Sequence, residues 1–343
     1  MKRILIVAEM AWAHDGQLEK ALNIMRAAKD AGADAIGIHV TDMPTYMVPH
    51  YGSGEGRVSA GKEHMEVYKY LEQINLSDQD WKAFAEEARK QHIAMCVMPN
   101  DWASLKYCEN ELAPDYYVLS AACFVEADFV AAVAKTGRAT ILRIGGANVG
   151  EIERTLGIFR SNGGGEVTLL HGFQNYPTKL EDVNVRQMKT LRAMFGVPVG
   201  LADHIDGADP VAKVVPILAL ALGASCIEKH ITWNRSERGE DFEAALDPKD
   251  FKEFVSFVRA GEIALGESAW ATLSDAAGRY RLVSRKRMVA ARAIKAGSVL
   301  SREDIAFKRS DVGLGPDLVE TVVGRTAKVD LAPNDGLALR DLL

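Results

Sequence analysis

The feature that most constrains this chain is an alternation. Eight short apolar runs, at residues 3–9, 35–40, 93–98, 116–120, 140–145, 167–172, 198–202 and 225–232, alternate with stretches of helical spacing. The helical patterns include 18–31, 78–91, 124–135, 150–160, 184–195, 209–222 and 248–265. Most runs are apolar at both odd and even positions, as strands buried on both faces are. Parallel strands need a crossover of a dozen or more residues, usually a helix. Eight such units over about 265 residues predict an α/β fold closed into a (β/α)8 TIM barrel. The competing architecture, an open doubly wound sheet, usually has a glycine-rich turn after its first strand. Glu9-Met10-Ala11-Trp12-Ala13-His14-Asp15-Gly16 is not such a turn. The last barrel helix should start with Asp247 as its cap and Pro248 in first position.

Residues 41–76 make a long insertion after the second run, with glycines at 52, 54 and 56 and a helical piece at 63–73. Long loops on this face serve as lids or substrate walls. Past Gly266 the pattern changes. Residues 267–284 are polar and predict an irregular linker. Residues 285–343 carry short β-type runs at 288–291, 299–300, 305–308, 326–331 and 337–339, a small all-β domain. A module of that size is marginal alone and is expected to dock on a barrel. The expected division is therefore 1–266, 267–284 and 285–343.

The net charge is −6 and no basic run occurs, so a nucleic-acid partner is not expected. No apolar stretch reaches the roughly 20 residues of a membrane span. Glu9 ends the first apolar run, which reads as a strand rather than a signal segment. Cys96, Cys108, Cys123 and Cys226 show no C-x-x-C spacing and read as buried, reduced thiols of a cytoplasmic protein.

Two histidines stand out. His204 follows the seventh apolar run, and His230 falls near the end of the eighth. A strand–helix–strand unit sets both strand ends on one face, and in α/β folds that face carries the chemistry. Two convergent neutral imidazoles point to a divalent metal.

Four stretches carry a family resemblance. They are Leu169-Leu170-His171 with Tyr176-Pro177 and Glu181-Asp182-Val183-Asn184; Gly200-Leu201-Ala202-Asp203-His204; Gly223-Ala224 with Ile227-Glu228-Lys229-His230-Ile231-Thr232; and Val289-Ala290-Ala291-Arg292 with Ile294-Lys295-Ala296-Gly297. Over nearly its whole length the chain resembles the sialic acid (N-acetylneuraminate) synthases and their pseudaminic and legionaminic acid relatives, whose C-terminal piece is an antifreeze-like SAF domain. The resemblance implies condensation of phosphoenolpyruvate with an N-acylated amino sugar to a nonulosonic acid. Carbon 3 of the donor attacks the sugar aldehyde, water adds at carbon 2, and phosphate leaves by C–O cleavage. It implies a divalent metal, typically manganese, on His204 and His230. It implies catalytic roles for Glu9, Asp241 and Tyr176. It also implies a domain-swapped homodimer in which Arg287 of one SAF domain reaches the sugar of the other subunit.

The donor-binding positions depart from the family. Gly37 and Tyr117 stand where it has lysines, and Gln174 where it has asparagine. A trianion needs cations or several oriented donors. Arg143, at the end of the fifth run, is the expected replacement, with His39 and Arg238 as weaker ones; the alternative for Arg143 is a plain ion pair with Asp241 or Glu9. Ser120 and Gln174 complete the expected substrate-binding set. Two readings compete with the synthase. One is a metal-dependent lyase, aldolase or isomerase working without phosphoenolpyruvate. The other is a non-catalytic binding paralogue. The retained His204, His230, Glu9 and Asp241 speak against the last.

Overall fold

A computed structural model describes residues 3–52, 58–175, 177–266 and 272–343. They form two compact units, Met1–Gly266 and Glu267–Leu343. The first is a closed barrel of eight parallel strands: β1 (Leu5–Ala11), β2 (Ala35–Val40), β3 (Ala94–Pro99), β4 (Tyr116–Ser120), β5 (Ala139–Arg143), β6 (Val167–His171), β7 (Val199–Asp203) and β8 (Cys226–His230). Each strand pairs with its sequence neighbour, and β1 closes onto β8. All four cysteines are buried and free. Among the described residues no helix is long and apolar enough to cross a membrane.

Local chemistry explains why the elements start and stop where they do. Helix Asp78–Gln91 begins at a capping box in which Ser77 and Asp80 satisfy each other's backbone N–H. Helix Val149–Ser161 repeats the device with Asn148 and Glu151. Helix Leu18–Ala31 ends at Gly32, whose φ of 92° lets the chain turn into β2. Helix Pro248–Leu265 has the expected bounds, but Asp247 does not cap it by a side-chain bond. Its carboxylate instead accepts the Arg235 N–H at 2.7 Å.

Alternation along the strands sorts side chains into two cores. Val7, Ala35, Cys96, Val118, Ile141, Leu170, Ala202 and Cys226 pack together inside the barrel. Ile6, Ile36, Tyr117, Leu119, Leu201 and Ile227 belong to the outer core, with helix residues such as Phe84, Phe124, Phe251 and Phe254. Two residues on from the inner layer, towards the strands' C-terminal ends, this alternation points Glu9, Gly37, Ser120, Arg143 and Glu228 inward.

The second unit has its own core of Met288, Ala290, Ile294, Leu300, Ile305 and Leu337, among others. Its sheet pairs β9 (Lys286–Ala290) antiparallel with β10 (Ile305–Arg309), and isolated bridges such as Val299 with Thr326 stand where short β runs were expected at 299–300 and 326–331. The expected irregular segment before it contains a helix, Asp275–Ser284, started by Ser274 accepting the Ala277 N–H.

Candidate active site

At the C-terminal mouth of the barrel, His230 ends β8 and His204 follows β7 directly. Their ring centroids lie 5.1 Å apart. Burial, followed by the charges of Arg143 and Lys229, pulls the His204 ring down to about 3. Burial and the neighbouring His204 hold His230 well below its ordinary value. Both rings are therefore neutral near pH 7, the form that offers a lone pair to a metal. The Asp241 carboxylate lies 4.0 Å from His230 Nδ1. Two neutral imidazoles can offer a divalent cation two lone pairs; among the described residues no group of three or more His, Cys, Asp and Glu gathers around a common point.

Glu9 lies between His230 and Gly37 in the strand register. The β1–β2 register slips between Glu9 and Ala11, and Ala11 takes a φ of 45°. Its N–H then turns back to donate to Glu9 Oε1 at 2.8 Å, so the bulge aims the carboxylate. The other oxygen leans across β2, where a Cβ on Gly37 would run into it. Gly37 is thus the space that the Glu9 carboxylate fills. Gly37→Ala should destabilise the barrel by about 1–3 kcal/mol through overpacking. Urea denaturation measures it, and an unchanged midpoint would show that the carboxylate does not need this space.

Arg143 holds this charge cluster together. Its Nε donates to Glu228 Oε2 at 3.2 Å, and its Nη2 reaches the same oxygen at 2.8 Å and also pairs with Glu9. Its Nη1 lies 3.3 Å from His39 Nε2. Of the two readings of Arg143, a grip on a substrate anion or an ion pair with Asp241 or Glu9, the fork in this structure makes the pair with Glu9 and adds Glu228. Burial pushes the Glu9 carboxyl up to about 7, against the lowering pull of Arg143. His39 is buried, and burial first, then Arg143, drives it well below its ordinary value. It is therefore a neutral acceptor and not the expected spare cation. Arg238 is exposed, with its guanidinium 5.3 Å from the Phe242 ring.

The remaining expected residues sort by strand face. A cavity of about 520 Å³ opens at the mouth, lined by Met98, Ser120, Arg143, Gly146, Gln174 and His204 among others. Tyr117, taken as the replacement for a donor-binding lysine, faces the other way. It is fully buried in the outer core and its hydroxyl donates to Glu109. The inward positions of β4 are Tyr116, Val118 and Ser120, and none is a lysine. Asp203 and Lys229 pair at 2.9 Å, fully buried, and Lys229 also donates to the Ile205 carbonyl. His171 Nε2 meets the Val183 carbonyl at 2.9 Å, a satisfied core histidine. Tyr176 lies outside the described residues. Arg287 lies on β9 of the second unit, where Nη1 donates to the Gly313 carbonyl at 3.3 Å.

Sequence reasoning missed the partners of the β8 loop. Glu240, 5% exposed, takes the Tyr70 hydroxyl at 2.7 Å and the Ser59 N–H at 3.0 Å. Its position beside Asp241 was the one available signal.

Comparison with known proteins agrees with this architecture. A pseudaminic acid synthase of Campylobacter jejuni is 30% identical, with 99% of this chain and 97% of the relative covered. An uncharacterised protein of Methanocaldococcus jannaschii is 32% identical over 98% and 94%. The solved N-acetylneuraminic acid synthetase of Leptospira borgpetersenii, a citrate complex, superimposes with a TM-score of 0.69 at 26% identity, over 82% of this chain and 92% of that one. The NeuB family model matches residues 24–269 and the SAF domain model residues 288–343. The chain therefore belongs to the NeuB family of sialic, pseudaminic and legionaminic acid synthases, and carries a C-terminal SAF domain.

Proposed function

We propose that this protein condenses phosphoenolpyruvate, or another small acidic donor, with an N-acylated amino sugar to give a nonulosonic acid. The observation that carries the reading is the pair of buried, neutral histidines 5.1 Å apart at the barrel mouth, with Asp241 beside one of them. His204 and His230 would hold a divalent metal, with manganese as the expected ion. When bound, it would polarise the sugar carbonyl. Glu9 has a carboxyl near 7, the range in which a group can both take and return a proton at neutral pH. It is the proposed base for the water that adds to the donor's carbon 2. Ser120 and Gln174, on the wall of the cavity, would donate hydrogen bonds to the donor's anionic groups. Asp241 would orient His230, and Tyr176 is retained as a proposed catalytic residue. The homodimer with exchanged SAF domains, and Arg287 as its sugar-side contact, belong to the same proposal, as does the cytoplasm as its location.

One observation favours a second reading. The inward positions of β2 and β4 carry no lysine, and Arg143 is engaged by two carboxylates. Each missing charge-assisted contact costs about 1.5–3 kcal/mol, roughly ten- to a hundredfold in affinity. A metal-dependent aldolase or lyase acting on a phosphate-free keto acid would need fewer cations. Phosphate release from phosphoenolpyruvate, with manganese and a panel of N-acyl hexosamines, tests both. Sugar-dependent release with a high KM for the donor is the expected result. No release with any sugar, together with cleavage or formation of a keto acid, would replace the synthase reading with the second one.

A further inference from the structure

We propose that Tyr70, Ser59 and Glu240 are positioning residues. They latch the insertion after β2 onto the loop after β8 and thereby hold Asp241 beside His230. The inference rests on the proposed function only for what Asp241 does once it is held.

The β8 loop leaves the barrel at His230 and carries Asp241 in a backbone conformation with φ of 61°. Aspartate enters that region more readily than most residues, and the bonds around it decide whether it stays there. The determinants come from the insertion. The Asp241 N–H donates to Ser59 Oγ at 2.6 Å, and the Ser59 N–H returns a bond to Glu240 Oε1 at 3.0 Å. Glu240 Oε2 accepts the Tyr70 hydroxyl at 2.7 Å and lies 3.4 Å from Lys62 Nζ. One residue further along the insertion, the Ala60 N–H donates to Glu243 Oε1 at 2.7 Å. The bonds thus run in both directions, and four of them involve Asp241 or the residue before it.

Packing fixes both ends of the latch. Tyr70 lies on helix Val67–Ile74, and its ring is buried with Trp12, Met43 and Ile74, so the phenol has one direction to point. From the other side, the Glu240 N–H donates to Asp15 at 3.2 Å, and a Cβ on Gly239 would collide with the same carboxylate. Removing the Tyr70 hydroxyl or the Ser59 hydroxyl releases this restraint. Asp241 can then relax to an ordinary φ and move away from His230.

The test uses the full chain with manganese, comparing Tyr70→Phe, which keeps the buried ring, with Ser59→Ala and Ser59→Thr. In the phosphate-release assay, Tyr70→Phe and Ser59→Ala should lower kcat by about tenfold or more, since small misplacements near the chemistry cost that much. KM for phosphoenolpyruvate should stay within about twofold. Ser59→Thr should restore most of the loss. Amide hydrogen exchange at 233–246 should quicken by about tenfold in the two impaired variants, with helix Asp78–Gln91 unchanged. Faster exchange throughout the barrel, or an unchanged kcat in both variants, would overturn the proposal. If wild-type protein releases no phosphate, the functional reading fails and the latch is judged separately. The ring nitrogen shifts of His230, read by NMR on the full chain without manganese and with His171 as internal control, should then move in Tyr70→Phe and Ser59→Ala. Unmoved shifts at His230 would overturn the latch.

Discussion

His204→Ala should strip the protein of its divalent metal and of manganese-dependent turnover. Both imidazoles are neutral because burial removes the option of charge, so each presents a lone pair at no protonation cost. With two histidines as the proposed protein ligands, removing one halves the set. Outer partners of ligating histidines alone are worth about 10–100-fold in metal affinity. The ligand itself should therefore cost more than about a hundredfold. Titration calorimetry with manganese and elemental analysis after dialysis measure this. His171→Ala is the control. That ring sits at the end of β6 but turns to the Val183 carbonyl, so its loss should leave the metal in place. Equal metal content in wild type and His204→Ala would remove the metal site, and with it the main support for the synthase reading.

The strand order and the histidine pair were legible because their signals are local. An apolar run of five to eight residues, a helix-length spacer and a histidine near or just past the run's end each lie within one segment. The barrel's lateral pairings were legible only as alternatives, for the opposite reason. Arg143 could be read against Glu9 or Asp241, but Glu9, Arg143 and Glu228 lie on three different strands, and nothing in any one strand chooses between those partners or adds Glu228. Tyr117 shows a second limit. Tyr116-Tyr117-Val118-Leu119 is buried on both faces, so no polar alternation marks which residues point inward. A family position aligned there can land on either face. The helix Asp275–Ser284 hid because it buries none of its residues and leaves Tyr280, Leu282 and Val283 exposed, so it shows no apolar stripe facing a core. The helix expected at 184–195 begins only at Gln187 and runs to Phe195, and a separate short helix, Leu180–Val183, precedes it, because Asn184 takes a φ of 44° between them. Asparagine is among the few residues that enter that region readily.

Arg143→Met should destabilise the barrel strongly. The substitution nearly preserves side-chain volume but leaves Glu9 and Glu228, each 1% exposed, without the cation that lies between them. Breaking a buried charge cluster by removing one partner typically costs about 3–5 kcal/mol. For a domain of this size that is on the order of 10 °C in melting temperature. The sign of the pH dependence follows from Glu9. Its folded value, pushed up to about 7 by burial, lies above its ordinary one, so the folded state holds a proton that the unfolded chain releases. That contribution falls as pH rises from the ordinary carboxylate range towards 7. Without Arg143's lowering pull the folded value rises further, and the deficit of Arg143→Met should therefore be smaller at pH 5 than at pH 8. Arg143→Lys keeps the charge but not the fork that reaches Glu9 and Glu228 together, so it should recover only part of the loss. Thermal melts of the three proteins at both pH values decide the point. If Arg143 instead served to grip the donor, Arg143→Met would melt with wild type and reveal itself only as a higher KM. A melting temperature unchanged at pH 8 would therefore return Arg143 to the substrate.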